Sequence, residues 1–316
     1  MPSAHSISYL ILAHEDPQQL RALLQRLSTE SVRCYVHVDA KAELASFRRA
    51  ATGIPHVRFC EPPIEVTWAG FSVVEATLRL IETALADHDK CARFVLLSGT
   101  DYPIASNGEI FSFFASNPQR QFIRRFPILE ADDVQRWKVR GRHFRDWAPR
   151  YSWGRLPLFA LERTLRVAPR PLPTEWPLMG GSQWWALTSD CARYCLEFAR
   201  SHPDVLRFFR RVFAPDEIFF HTVVHQSPFA LSADPVESFT NVVTKSGSLA
   251  HYANLHHLPG GVIASADDVR AALNAGPGKL FARKFSTRVS AFAIRLLDDT
   301  LERAEVRRIA AVGRRE

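Results

Sequence analysis

Apolar positions in the first third of the chain alternate between two rhythms. Ile7 to Ala13 is an apolar run suited to a strand covered on both faces. His14-Glu15-Asp16-Pro17 follows, with Asp16 placed as an N-cap and Pro17 at the first helical position. Leu20, Leu23, Leu24 and Leu27 then form a helical stripe. Cys34 to Val38 predicts a second strand ending in Asp39, and a link runs through Val57 to Cys60. Ser72 and Glu75 spell a capping box for a helix carrying Leu78, Ile81 and Leu85. Phe94 to Leu97 predicts another buried strand, Ser106 with Glu109 a second capping box, and Phe122-Ile123 a further strand. This alternation predicts an α/β fold with a mainly parallel sheet and helices on both faces. Ligands of such sheets sit beyond the carboxyl ends of the strands, which points to His14, Asp39 and the Ser98-Gly99-Thr100-Asp101 turn.

From about residue 124 to 180 the rhythm breaks. The stretch holds Trp137, Trp147, Trp153 and Trp176, many arginines and Pro149, Pro157, Pro169, Pro171, Pro173 and Pro177, and reads as a loop-rich functional insertion over the sheet. Regular structure is expected again from Gly181 to Leu187, in a helix from about Asp190 to Ser201, and in another beginning near Pro215. A C-terminal amphipathic helix at about 286–316 is expected to gather Val289, Phe292 and Leu296 on one face. With no internal repeat, residues 1–316 read as a single domain.

Composition narrows the class. Apolar residues make up 47% and charged residues 23% of the 316, which excludes a disordered polyelectrolyte. The formal charge of +7 is concentrated. Residues 124–170 hold 12 Lys+Arg against 5 Asp+Glu, residues 279–316 hold 10 against 5, and the rest of the chain is mildly acidic. Five cysteines without CxxC spacing fit reduced, buried thiols. The N-terminal segment reads as a strand rather than a signal peptide, and no run reaches the roughly eighteen apolar residues of a membrane span. A cytoplasmic protein is expected, with peripheral contact at the inner face of the membrane.

Familiar catalytic spellings are absent: there is no GxGxxG, GxxxxGK[ST], GxSxG or HExxH. Asp87-His88-Asp89 is an Asp-x-Asp pair, but it follows a helix and precedes a strand, the wrong end of the sheet for a metal–diphosphate site. Pro215-Asp216-Glu217 opens a helix, where a carboxylate is either a cap or an ionised general base. Glu217, His221 and His225 share the i, i+4, i+8 spacing of a zinc stripe, although their neighbourhood is apolar. Cys191 and Cys195 read as buried helix thiols. Lys279, Arg283 and Lys284 form a basic cluster suited either to a diphosphate or to solvent.

Seven segments then fall into one family order. They are Tyr9 to His14 with Asp16-Pro17, His37 to Lys41, Val66 to Ser72, Leu96 to Ile104, Gly181 to Trp185, Pro215 to Glu217 with Phe219, Phe220 and Thr222, and Leu280 to Phe285. In these the chain resembles the core-2/I-branching glycosyltransferases, a family that also contains the peptide O-xylosyltransferases. The resemblance implies a GT-A type fold and an inverting transfer of GlcNAc or xylose from UDP-GlcNAc or UDP-xylose, with no metal and no other cofactor. It implies Glu217 as catalytic base and Lys284 as the cation that replaces a metal at the leaving diphosphate. It also implies donor contacts from His14, Asp39 and Arg283, and a sugar and acceptor side lined by Asp101, Trp184 and Asp216. The segment Asn254-Leu255-His256-His257 departs from the expected Arg- and Trp-rich strand, leaving His256 or Arg283 as the second diphosphate contact. Lacking the membrane anchor and cysteine-rich region of animal members, the chain reads as a bacterial-type, cytosol-facing relative. The acceptor is expected to be a hydroxyl of a glycan, a lipid-linked glycan or a protein.

Two other classes compete. One is a polyanion- or membrane-surface-binding protein on a degenerate transferase fold, motivated by the basic, Trp-rich insertion, with steeply salt-dependent binding as its mark. The other is a zinc hydrolase built on Glu217, His221 and His225. The ordered acidic and basic site residues favour the transferase, with no nucleic-acid partner. The insertion and the basic C-terminal helix are candidates for contact with an anionic membrane.

Overall fold

A computed structural model of the chain describes residues 6–87, 91–147, 153, 155–165, 170–173, 175–244, 252–254, 261–276 and 278–312. The first elements are β1 (Ile7–Ala13), α1 (Pro17–Leu27), β2 (Val32–Val38), α2 (Leu44–Ala51), β3 (Val57–Phe59), α3 (Ser72–Asp87), β4 (Arg93–Ser98), β5 (Asp101–Pro103) and α4 (Asn107–Ala115). Then come β6 (Phe126–Pro127), α5 (Asp133–Arg140), α6 (Arg155–Thr164), β7 (Met179–Gly180), β8 (Ala186–Thr188), α7 (Ser189–Ser201) and α8 (Pro203–Phe209). The last are α9 (Phe219–His225), α10 (Phe239–Thr244), β9 (Tyr252–Asn254), α11 (Ala266–Leu273), β10 (Phe281–Arg283) and α12 (Ala291–Val312).

The central sheet has the order β3-β2-β1-β4-β8. Its first four strands are parallel and β8 joins β4 antiparallel. The chain steps outward from β1 to β3 through α1 and α2, then back to β4 through α3. Right-handed crossovers therefore put α1 and α2 on one face and α3 on the other. This is the expected mainly parallel α/β architecture. Every residue of β4 is buried, as a strand covered on both faces requires. All five cysteines are free and buried. Among the described residues no helix is long and apolar enough to cross a membrane.

A second, three-stranded sheet has the order β5-β10-β9. It packs Tyr102, Ile104, Ala282 and Phe285 against Val269 of α11 and Ala293 and Leu297 of α12 in a small core of its own. Here one expectation fails. Of the expected face, Leu296 packs partly buried against this core, but Val289, ahead of the helix, and Phe292 are half exposed, and α12 instead buries Ala293, Leu297 and Leu301. The helix is rotated by Asp298, whose carboxylate accepts from the Tyr102 hydroxyl at 2.9 Å and lies 3.6 Å from Arg26, while Ala293 permits close approach.

Local signals at helix starts fared unequally. Asp16 accepts from the Gln19 amide with Pro17 at the first helical position, and Ser106 and Glu109 form the reciprocal capping box. The Ser72–Glu75 box does not form. Ser72 Oγ instead accepts from the Thr67 amide and donates to Asp146 Oδ1 at 2.7 Å, and Asp146 Oδ2 accepts from the Phe71 amide at 2.7 Å. Glu75 turns outward to Arg210. A carboxylate from the insertion thus takes the place of the local cap. Phe122-Ile123 is likewise not a strand of the central sheet. Phe122 bridges Ala186 while Gln121 and Arg125 bridge Ala233 and Val236, so the segment is shared between partners and no continuous ladder forms. The insertion is more ordered than a loop: β6 and β7 pair at its base, and α5 and α6 lie within it.

Candidate active site

A cavity of about 450 Å3 opens where β1, β2 and β4 end. His14 follows β1, Asp39 follows β2, and Ser98 closes β4, so the parallel sheet delivers three chain ends to one place. The opposite wall comes from Ser182, Gln183 and Trp184 ahead of β8, from Glu217, and from Arg283 and Lys284 at the end of β10. His14, Asp39, Trp184, Glu217, Arg283 and Lys284, distant in sequence, therefore share one cavity.

Asp39 is buried and fully engaged. Its Oδ1 accepts from the Lys41 and Val66 amides and its Oδ2 lies 2.9 Å from Lys41 Nζ, which ties the Val66–Trp68 rim to the end of β2. His37 beside it accepts from the Ile64 amide at 3.0 Å. Burial pushes its imidazole down to about 4, so it is neutral at physiological pH.

Glu217 ends a short 3-10 turn, Pro215–Glu217. The turn is held on both sides. Ala214, in the left-handed region at φ 48°, donates its amide to the Ala69 carbonyl at 3.0 Å, and the Gly181 amide donates to the Glu217 carbonyl at 2.9 Å. A Cβ at Gly181 would stand 2.2 Å from His221 Nε2 and 2.4 Å from the Arg124 carbonyl oxygen, so only glycine fits there. The Glu217 carboxylate points into the cavity and receives Lys138 Nζ at 2.6 Å.

Two of the expected sugar-side residues stand behind the wall rather than on it. Asp101 is fully buried. Its Oδ2 accepts from the Ser98 amide at 2.6 Å and its Oδ1 lies 3.5 Å from Arg283 Nε. A strand-end carboxylate here braces the turn after β4 and orients a cationic side chain. Arg283 in turn lies 4.5 Å over the Trp184 ring. Asp216 does not reach the cavity, and its Oδ1 is buried with no hydrogen-bond partner among the described residues. Burial first, then the charge of Glu217, pushes its carboxyl up to about 7.

The zinc stripe is not realised. Ile218, with φ −132° and ψ −42°, separates the Glu217 turn from α9 and breaks the helical register. His221 is fully buried, with its imidazole pushed down to about 3 by burial and then by Arg125, and His225 lies against Arg125. Among the described residues no three His, Cys, Asp or Glu side chains gather as a metal-holding group. The basic cluster also separates: Lys279 sits in the field of Arg124 and Asp234, away from the cavity, and burial lowers its ammonium to about 8. Asp87 receives the Tyr35 hydroxyl and Arg58, while His88 and Asp89 lie outside the described residues, as does His256.

Four side chains at or beside the site carried no local signal of a role. Lys138 lies in α5, within the insertion that matched no pattern. Trp68 lines the cavity with its edge on Phe213, and Arg145 stacks 4.6 Å from Phe213 and 5.9 Å from Trp68. Asp146 fixes the start of α3. Trp68 lay within a matching segment, but nothing marked it as a wall.

Sequence comparison identifies one family. The family model described as "Core-2/I-Branching enzyme" matches residues 7–240. Xylosyltransferase 2 of Rattus norvegicus is 27% identical over 305 residues, covering 92% of this chain and 33% of the relative. Xylosyltransferase oxt of Drosophila melanogaster is 23% identical over 249 residues, covering 75% and 26%. The chain thus spans about a third of the length of the curated relatives it matches. Among solved structures, the apo form of mouse xyloside xylosyltransferase 1 aligns over 87% of this chain and 97% of its own at 11% identity, with a TM-score of 0.37. The match over most of the central sheet and through Glu217 has a plain meaning: the chain belongs to the core-2/I-branching enzyme family.

Proposed function

We propose that the protein is a glycosyltransferase of GT-A type that moves xylose or GlcNAc from its UDP donor to an acceptor hydroxyl with inversion and without a metal. The observation that carries this reading is the convergence of the Glu217 carboxylate and two cations, Arg283 and Lys284, on one cavity at the strand ends, where the other carboxylate, Asp39, is engaged by Lys41 and the Val66 amide. Glu217 removes the acceptor proton as the oxygen attacks the anomeric carbon from the face opposite the diphosphate, which inverts that centre. The leaving UDP accumulates negative charge, and Lys284 with Arg283 stabilises it where it forms. Asp39 and His14 border the nucleotide, Trp184 the sugar. Lys138 holds the Glu217 carboxylate in position, while Asp101 and Asp216 act from behind the wall. The names of the relatives favour xylose as the transferred sugar.

A thermal-shift panel of nucleotide sugars tests the donor, because a bound ligand raises the unfolding midpoint in proportion to ln(1 + [L]/Kd). UDP-xylose or UDP-GlcNAc is expected to stabilise the fold and to be hydrolysed slowly in excess EDTA. No stabilisation by any nucleotide sugar overturns the reading.

A further inference from the structure

Helix α6 carries its polarity inside out. Its single acidic residue, Glu162, is 5% exposed, and its Oε1 accepts the Phe144 amide at 2.8 Å. Leu156 and Phe159 are 62% and 55% exposed, Leu161 also faces solvent, and Trp153 just ahead of the helix is 88% exposed. Large apolar side chains gathered on one short stretch of surface, over a buried carboxylate, mark an interaction face rather than a solvated one. The adjoining surface is cationic. The Arg211 guanidinium lies 4.5 Å over Phe144 and 4.3 Å over Trp147. Arg207, Arg210 and Arg211 line a shallow pocket of about 280 Å3 with Trp147 and Asp146. The Asp146 carboxylate is committed to the start of α3, and among the described residues Glu75 pairs with Arg210.

This chemistry selects the occupant. A second copy docked by two-fold symmetry would bring the same arginine-rich segment close to itself, with 12 Lys+Arg against 5 Asp+Glu over residues 124–170 on each side. A bilayer rich in anionic phospholipid offers the complementary pair: phosphates for the arginines, a headgroup layer for Trp153 and an acyl boundary for Leu156 and Phe159. We infer that α6 and the arginine pocket beside it dock the protein on the surface of an anionic phospholipid bilayer. The inference goes beyond the transferase reading and does not depend on it, since docking needs neither donor nor acceptor.

The test is co-sedimentation of the full chain with vesicles of phosphatidylcholine alone or mixed with phosphatidylglycerol. Wild type is expected to bind the mixed vesicles, to release them in high salt, and to ignore phosphatidylcholine. Trp153→Ser/Leu156→Ser/Phe159→Ser is expected to lower the bound fraction about tenfold with an unchanged unfolding midpoint. Arg207→Gln/Arg211→Gln is expected to remove the preference for the anionic lipid. Quenching of tryptophan fluorescence by brominated lipid reads the same contact in the unaltered protein. The inference falls with wild type left in the supernatant in both lipids, with triple-variant binding equal to wild type, with no quenching, or with a dimer that the triple variant dissociates in the absence of vesicle binding.

Discussion

Lys138 Nζ lies 2.6 Å from Glu217 Oε2, across 79 residues of chain, and it reaches that carboxylate from helix α5 of the insertion. The carboxylate is partly open to the cavity while the ammonium is mostly covered, so the pair is held from the protein side and Glu217 faces the cavity. Glu217→Gln is expected to lower turnover by about 10²–10⁴ with the fold intact, the usual weight of a general base. Lys138→Met keeps the base but frees its orientation. A loss of about tenfold to a hundredfold in kcat with little change in donor KM is expected. Steady-state kinetics on both variants separates the two roles, and wild-type kcat in Glu217→Gln removes the base assignment.

Lys284 is the group asked to stand at the leaving diphosphate. Lys284→Ala is expected to lower kcat by about 10²–10³, the range seen when one donor of a charge-stabilising site is lost. Transfer by the unaltered protein is expected to continue in excess EDTA. Abolition of turnover on chelation, restored by added divalent metal, would be the contrary result.

Asp146 holds the start of α3 through the Phe71 amide and the Ser72 hydroxyl. Asp146→Ala is expected to cost about 1–2 kcal/mol, the loss of a helix cap, read as a lower urea midpoint at unchanged m-value. Gly70 packs directly on that carboxylate, since a Cβ there would stand 2.1 Å from Asp146 Oδ1. Gly70→Ala is therefore expected to destabilise by the same route, and an unchanged midpoint in both variants would show that α3 is not capped from the insertion.

His37, His143 and His221 are buried and neutral, held down to about 4, 4 and 3 by desolvation. Their folded values lie below the unfolded 6.5, so the stability they contribute is present above pH 6.5 and lost as pH falls toward 4. Each such group adds about 1.4 kcal/mol per pH unit to the slope in that window. Asp216, raised from 3.8 to about 7, works in the opposite direction between those two values. Burial raises Asp234 and Asp298 in the same sense as Asp216 and lowers His225 with the other imidazoles, and four imidazoles against three carboxyls make a net acid loss the expected outcome. Urea unfolding at a series of pH values checks the sign, and His143→Asn is expected to flatten the slope relative to wild type.

Much of the site was legible because its pieces follow strands. The apolar runs ending at Ala13, Val38 and Ser98 locate three chain ends that a parallel sheet must bring together, and His14 and Asp39 stand there. Glu217 and Lys284 were legible as members of short segments in family order. Asp101 shows the limit of that reasoning. An acidic residue at a strand end looks like a pocket residue, but in the folded chain its carboxylate is used up by the Ser98 amide and Arg283. The expected face of α12 failed for a related reason: apolar residues at several spacings leave the rotation open, and Asp298 bonding to Tyr102 decides it.

The sequence by itself determined the alternation of buried strands and amphipathic helices, hence a parallel sheet and the end at which its ligands bind, because burial on a strand or helix is written as a local period. Only the tertiary structure decided that Lys138 meets Glu217, that Asp146 caps α3 from 74 residues away, and that α6 buries its carboxylate and exposes Leu156 and Leu161. Those contacts depend on the path of the insertion across the sheet. That path is set by packing between distant segments, and local periodicity carries no record of it.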